Sequence, residues 1–359
     1  LHLQADIYHY RPLDFFIKRP AQTWQNKMAL RRTIDQARPH VVVVFGMWNL
    51  SRKIPDWAER WLGNRVAYYI SSTWPSDLDI HFAYWNMPAR RGWAEALKDP
   101  FRKLALWTLK REHYPPRLAF AHAMCVSRYV RDVLINAGLL TERAGIINNG
   151  LDPAVWLQNA RQIDELQRCP LRLVYTGSLD QIKGVHTAIE AVRLLKQRGL
   201  DGRVDLTIIG GGHPSDEARL RQMVDRFELH QRVHFAGRIE RTAIPMTLPQ
   251  YDVFLFTSCG PEAMARSVME AMAAGLMVIG AETGGQVEML EHLQNALTFE
   301  AEDALALADC IERAMNDPVL RARLSRAGQK TILDQFTLDR MVDDIEGWLE
   351  RVASENPAL

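Results

Sequence analysis

A chain of 359 residues is long enough for two domains rather than one. Hydrophobic residues make up 47% and charged residues 24%, the balance of an ordinary globular protein rather than of a disordered or membrane-spanning one. With 44 Lys plus Arg against 43 Asp plus Glu there is no net field to select a polyanion, so nucleic acid is not an expected partner.

In chain order, Leu1–Tyr8 is followed by a helix over Trp24–Ala37 and a buried strand over His40–Phe45. Val66–Ile70 is a second strand, and Cys125–Ser127 ends a third. A helix over Tyr129–Ala137 stops at Gly138. Ile146–Asn148 then leads into the Asn149–Gly150 turn. Pro153–Pro170 is polar, lacks strand pattern and reads as a connection between domains. From there strand and helix alternate: Leu171–Tyr175, helix Val185–Gln197, Val204–Ile209, a Gly-rich turn and a helix over Asp216–Phe227. Val233–Ala236 and Val253–Thr257 follow, then a helix over Arg266–Ala274 stopped by Gly275, and the strand Leu276–Ile279. Short apolar strands alternating with helices indicate parallel sheets covered on both faces. A last helix covers Leu338–Val352.

The stretch from Thr257 to Gly275 places a Gly-Pro loop between a strand and a helix, with Glu262 in the loop and Glu270 in the helix. In an open parallel sheet, ligands bind where loops leave the carboxyl ends of strands. Both carboxylates are then able to face one crevice, with the amides of Ala265, Arg266 and Ser267 between them. Such amides and the helix dipole favour a diphosphate. Taken alone, the two glutamates equally fit a solvated surface, where unpaired carboxylates usually stand.

Several further motifs run in order from Pro39 to Phe336. These are Pro39-His-Val-Val-Val-Val, Val126-Ser127, Asn149-Gly-Leu-Asp152, Tyr175-Thr-Gly177 through Lys183-Gly184, Ile209-Gly-Gly-Gly212, Phe235-Ala-Gly237, the Glu262–Glu270 pair, Glu270-Ala-Met-Ala-Ala-Gly275, and Gly284-Gly285 with Glu288. In this order and spacing the chain resembles the retaining glycosyltransferases of family 4, also called group 1 glycosyl transferases. The resemblance implies an α/β fold of GT-B architecture, in which two Rossmann-like doubly wound domains face each other across a cleft. It divides the chain into an acceptor-side domain over 1–160, a nucleotide-sugar domain over 161–337, and a C-terminal helix over 338–359 returning to the first domain. It also implies metal-independent transfer of a sugar from a UDP, GDP or ADP donor to a saccharide, lipid-linked or small-molecule acceptor. No cofactor is expected.

Carried over residue by residue, the resemblance gives Glu262 the donor sugar's hydroxyls and Glu270 the ribose. Lys183 would neutralise the leaving diphosphate. Gly177, Ser178, Ala265, Arg266 and Ser267 would surround the donor, and the backbone at Arg238 and Ile239 would line the base pocket. Two positions depart from the pattern: Ser178 stands where the family usually has Arg, and Ser71 where it has His. Arg238 or Arg266 is a candidate substitute for the first, His81 for the second. These departures keep open a degenerate nucleotide-sugar-binding protein, and a nucleotide-sugar epimerase of the same architecture is the other alternative. Family members also begin with a strand, a Gly-rich turn and a helix before the segment that Leu1–Tyr8 resembles. An N-terminally incomplete first domain is therefore expected, its sheet short of one strand.

Other signals have plainer readings beside them. Gly210-Gly-Gly212 mimics a dinucleotide fingerprint, but Ser215 stands where the third glycine belongs. Asp77-Leu-Asp79 mimics a cation-binding pair, or simply serves a turn. Arg90–Arg117 carries eight basic residues, with Phe101, Leu104 and Trp107 at helical spacing. This segment, residues 90–117, is either a membrane-surface helix suited to a lipid-linked acceptor or a packed helix with a solvated basic face. Cys125, Cys169, Cys259 and Cys310 form no CxxC pair and are expected to be reduced, mostly buried thiols. With no apolar run of ~18 residues and no leader pattern, the expected location is the cytoplasm, with the inner face of the membrane as the peripheral alternative.

Overall fold

The computed structural model describes all residues except 5–8, 48, 90–91, 165, 201 and 357–359. The chain divides into two compact units. The first comprises Leu1–Val126, Val130–Ile146 and the chain from Ile345 onward, and the second comprises Ser127–Tyr129 and Ile147–Asp344. Apart from Ser127–Tyr129, the second unit is continuous from Ile147 to Asp344.

The first unit opens with helices α1 (Pro12–Ile17) and α2 (Arg19–Ala37), the second starting five residues before the expected Trp24. Strand β1 (Val42–Phe45), α3 (Lys53–Leu62), β2 (Val66–Ile70), α4 (Ile80–Asn86) and α5 (Gly92–Arg111) follow. Then come β3 (His122–Cys125), α6 (Arg128–Asn136) and β4 (Gly145–Ile146). The third strand ends at Cys125 rather than reaching Ser127. Its sheet is parallel in the order β1-β2-β3-β4. Strand β2 is central and buried throughout, as a run of Val, Ala, Tyr, Tyr and Ile flanked on both edges requires. On the edge strand β1, Val43 and Phe45 remain exposed.

The second unit contains α7 (Pro153–Leu157), β5 (Leu171–Thr176), α8 (Val185–Gln197), β6 (Val204–Ile209), α9 (Pro214–Arg226) and β7 (Val233–Gly237). Next are α10 (Ile244–Thr247), β8 (Val253–Phe256), α11 (Arg266–Ala273), β9 (Met277–Ala281) and β10 (Leu297–Phe299). Three helices close the chain: α12 (Ala304–Asn316), α13 (Pro318–Gln335) and α14 (Leu338–Glu355). The segment read as a plain connection therefore holds a short helix. Asp152 nucleates it by accepting the N–H of Ala154 at 3.0 Å, with Pro153 at its first position.

The sheet of this unit is parallel in the order β10-β9-β8-β5-β6-β7. The chain leaves β5 in one direction through β6 and β7, then returns to β8 on the other side of β5. A crevice for a ligand opens at such a reversal, beyond the carboxyl ends of the two strands. Below it the core is closed by α8, whose Val185, Ala188, Ile189, Val192 and Leu195 are buried at helical spacing. At the opposite end of β8, Asp252 is fully buried. It is held by Arg161 at 2.7 Å and by Arg172 at 3.0 Å.

Candidate functional site

The pairing of Leu173 with Val253 and of Val174 with Phe254 aligns the ends of β5 and β8. The loops that follow them, beginning at Gly177 and Thr257, therefore emerge side by side. A pocket of ≈ 320 Å³ opens there, lined by Gly177, Ser178, Lys183, Glu262, Ala265, Arg266 and Ser267 among others. These expected site residues are brought together. Glu270, Arg238 and Ile239 are not among its lining residues.

Lys183 ends a short 3-10 turn over Gln181–Lys183. Gly184 next to it has φ +66°, and a side chain there would meet the Thr257 carbonyl oxygen at 1.8 Å. Only glycine permits both the left-handed backbone and this close approach. The turn is fastened to the β8 loop: Thr257 Oγ1 donates to the Lys183 carbonyl at 3.0 Å, and the Cys259 N–H to the Ile182 carbonyl at 2.8 Å. Lys183 Nζ then stands 2.9 Å from Glu262 Oε1, both side chains partly exposed. The Glu262 loop is held from its other side, where its carbonyl accepts the Gly285 N–H at 2.8 Å. A side chain at Gly285 would meet the Ala263 carbonyl oxygen at 1.9 Å.

Helix α11 begins directly after the loop. Its N-cap, Ala265, has no side-chain oxygen to offer the first-turn amides, and the two residues after it line the pocket. An uncapped helix start with a lysine across from it is an anion-binding arrangement. One turn further, Glu270 is buried and its Oε1 lies 3.5 Å from Arg266 Nε. Burial raises the Glu270 carboxyl above its ordinary range, opposed in part by Arg266 and Arg241. Of the two arginines considered as substitutes beside Ser178, Arg266 lines the pocket. Arg238 is exposed and lies over Gly211, where an added side chain would meet its Nε at 2.5 Å.

Sequence reasoning assigned no role to Tyr175. It is buried, and its hydroxyl donates to the Ser178 carbonyl at 2.7 Å, fixing the turn that follows β5. Burial raises its pKa, helped by Glu262 and Asp180. The contact joins residues across an irregular turn, so no periodic pattern announces it. Glu288 accepts the backbone N–H groups of Arg128 and Tyr129, each at 3.0 Å.

In the first unit, His81, the candidate substitute for the His absent at Ser71, packs among aromatic side chains. It is buried, its Nδ1 lies 2.8 Å from the Tyr10 hydroxyl, and burial lowers its pKa to about 4. Asp79 caps α4 through the His81 N–H at 2.9 Å and accepts the Tyr114 hydroxyl at 2.7 Å. Asp77 instead takes the Thr73 hydroxyl at 3.2 Å, so the two carboxylates serve turn and helix chemistry. On α5, Ala105 and Leu109 are the buried residues, while Trp93, Leu97, Phe101, Leu104 and Trp107 form an exposed apolar stripe. Among the described basic residues of this segment, Lys103, Lys110, Arg111 and Arg117 are exposed, and Lys98 and Arg102 are partly buried. Arg102 pairs with Glu95 and Asp99, Lys103 with Asp99, and Lys98 donates to the Tyr84 and Met87 carbonyls. Arg90 and Arg91 lie outside the described residues. Among the cysteines, all free, Cys125 is buried, Cys259 and Cys310 are partly buried, and Cys169 is exposed, so the mostly buried set expected is not found. Among the described residues no helix is long and apolar enough to cross a membrane.

Residues 158–331 match the family described as glycosyl transferases group 1. Among curated proteins, the amylovoran biosynthesis glycosyltransferase AmsK of Erwinia amylovora is 32% identical over 236 residues, 64% of this chain and 56% of that protein. The lipopolysaccharide core biosynthesis glycosyltransferase LpsE of Rhizobium meliloti is 30% identical over 179 residues, covering 50% of this chain and 48% of LpsE. The chain thus spans about half the length of the curated relatives it matches. Among solved structures, Anabaena Alr3699/HepE in complex with UDP superposes with a TM-score of 0.66 at 19% identity, over 90% of this chain and 82% of that one. Sucrose-phosphate synthase from Thermosynechococcus elongatus gives 0.67 at 17% identity, over 92% and 77%. At such identities the likeness concerns the fold.

Proposed function

Because residues 158–331 belong to the glycosyl transferases group 1 family and the fold is that of GT-B glycosyltransferases, we propose that the chain transfers a sugar from a nucleoside-diphosphate donor with retention of anomeric configuration. The observation that carries this reading is the Lys183–Glu262 pair, set in one pocket with the uncapped start of α11. Breaking a glycosyl–phosphate bond builds positive charge on the sugar ring and negative charge on the departing phosphate. In this reading Lys183 and the α11 amides receive the phosphate without a metal. Glu262 holds hydroxyls of the donor sugar and Glu270 those of the ribose. The backbone at Arg238 and Ile239 lines the base. Donor binding divides the ion pair: the diphosphate takes the ammonium, and the sugar takes the carboxylate.

An acceptor with a lipid portion suits the first unit. A pocket of ≈ 780 Å³ lies against α1, α4 and α5, lined by Leu13, Phe16, Tyr84, Trp85, Leu97 and Phe101 among others. It adjoins the exposed stripe of α5, and tryptophans on such a face suit a membrane interface. The relatives named for amylovoran and lipopolysaccharide core biosynthesis support this choice of acceptor class.

One observation favours a second reading, a protein that binds a nucleotide sugar without turning it over. Ser178 gives the pocket no cation of its own where the family pattern has Arg. Calorimetric titration with UDP, GDP and ADP, followed by hydrolysis assays on the matching donors, separates the two. Transfer or hydrolysis of one donor supports the enzyme, whereas binding with no turnover supports the second reading. Absence of nucleotide binding sinks both.

A further inference from the structure

His186, Cys259 and Glu302 converge from three separate segments of the second unit. His186 is in the first turn of α8, Cys259 is in the loop between β8 and α11, and Glu302 is in the turn between β10 and α12. Cys259 Sγ lies 4.0 Å from His186 Nε2. The three ligand atoms all lie within 4.8 Å of one another. Tetrahedral coordination with ordinary metal–sulfur and metal–nitrogen lengths puts sulfur and nitrogen about 3.5 Å apart. Side-chain adjustments of less than about 1 Å therefore close the set around one ion.

We propose that these three residues bind a single zinc ion that braces the loops carrying Lys183 and Glu262. A thiolate with an imidazole suits borderline-soft zinc, whereas magnesium, calcium and manganese prefer oxygen alone. Three protein ligands leave the fourth position to water. The other ring nitrogen of His186, Nδ1, is buried with no hydrogen-bond partner among the described residues.

None of the three is among the lining residues of the donor pocket. His186 follows Lys183 by three residues, and Cys259 precedes Glu262 by three. A bound ion thus cross-links the two segments that place the Lys183–Glu262 pair. This inference is independent of sugar transfer, because its readout is metal binding.

The test is calorimetric titration of zinc chloride into the metal-stripped full chain, with cobalt as a spectroscopic substitute. One ion per chain, a thiolate-to-cobalt absorption band and a higher Tm with zinc are expected. Cys259→Ser and Glu302→Gln should each weaken zinc at least as much as losing a ligand's outer hydrogen-bond partner does, roughly 10- to 100-fold. Cys169→Ser, which alters an exposed thiol outside the set, should bind as wild type. Glu302 is exposed, so its variant keeps the test valid if Cys259→Ser does not fold. No saturable binding by the wild-type chain, or wild-type affinity in either folded ligand variant, overturns the proposal.

Discussion

Replacing Glu270 and Glu262 separately by Ala should have unequal effects on free-nucleotide affinity. Glu270 is buried, and its carboxylate is assigned to the ribose. Removing a hydrogen bond to a charged group costs about 1.5–3 kcal/mol, so Glu270→Ala should weaken nucleotide roughly 10- to 150-fold. Glu262 differs because its partner in the free protein is Lys183, at 2.9 Å with the two side chains 30% and 23% exposed. A pair this open to water is worth about 0–1 kcal/mol. Glu262→Ala releases the ammonium for the diphosphate, so nucleotide affinity should stay level or tighten by up to about fivefold. Turnover should still collapse in Glu262→Ala, since the donor sugar loses its carboxylate. Calorimetry with the free nucleoside diphosphate reads the first quantity, and single-turnover transfer reads the second. Equal losses of nucleotide affinity in the two variants would refute the division of labour.

Four further outcomes follow from the same arrangement. Sugar transfer by the zinc-loaded chain should need no added Mg or Mn, because Lys183 and the α11 amides receive the diphosphate; transfer that starts only when Mg or Mn is added would place a cation there instead. Arg266→Ala should lower turnover about 100-fold, the cost of one lost donor to a developing anion, while Arg238→Ala leaves it within about threefold; the reverse ranking in a transfer assay would move the compensating charge to Arg238. Burial alone would raise the Asp252 carboxyl, but hydrogen bonds from Arg172 and Arg161 outweigh it and hold the pKa below the ordinary value. Its contribution to stability is thus full above the unfolded-state value and lost as pH falls through the folded one, and Asp252→Ala should cost about 3–5 kcal/mol in urea unfolding at pH 7. The wild-type chain should sediment with vesicles of phosphatidylglycerol and phosphatidylethanolamine, and the pair Leu97→Glu, Phe101→Glu should weaken this at least about tenfold; no sedimentation of the wild type would remove the membrane role of α5.

Much of the fold was legible because parallel strands buried on both faces are written as continuous apolar runs. Val66–Ile70 is such a run, and the helix Val185–Gln197 and the strand Val204–Ile209 likewise have the bounds their own patterns imply. Elements with weaker local signals were missed. Strand β10 has only three residues, and α12 and α13 start at caps that pattern reading passed over, Asp303 and Asp317 with Pro318. Which residues gather around the pocket was inferred from motif order alone. Their meeting depends on the strand order, which reverses between β5 and β8 and brings Lys183 to Glu262 across nearly eighty residues of chain. On α5 the helical period was legible but the buried face was not. Apolar spacing says that Phe101, Leu104 and Trp107 share a side, whereas the packing of Ala105 and Leu109 against Phe15, Trp85 and Tyr114 decides that this side remains open. Local sequence encodes period, caps and turns through contacts a few residues apart. The approach of His186, Cys259 and Glu302, like the burial of His81 beneath Tyr10, is settled by tertiary packing, because the residues that meet are far apart along the chain.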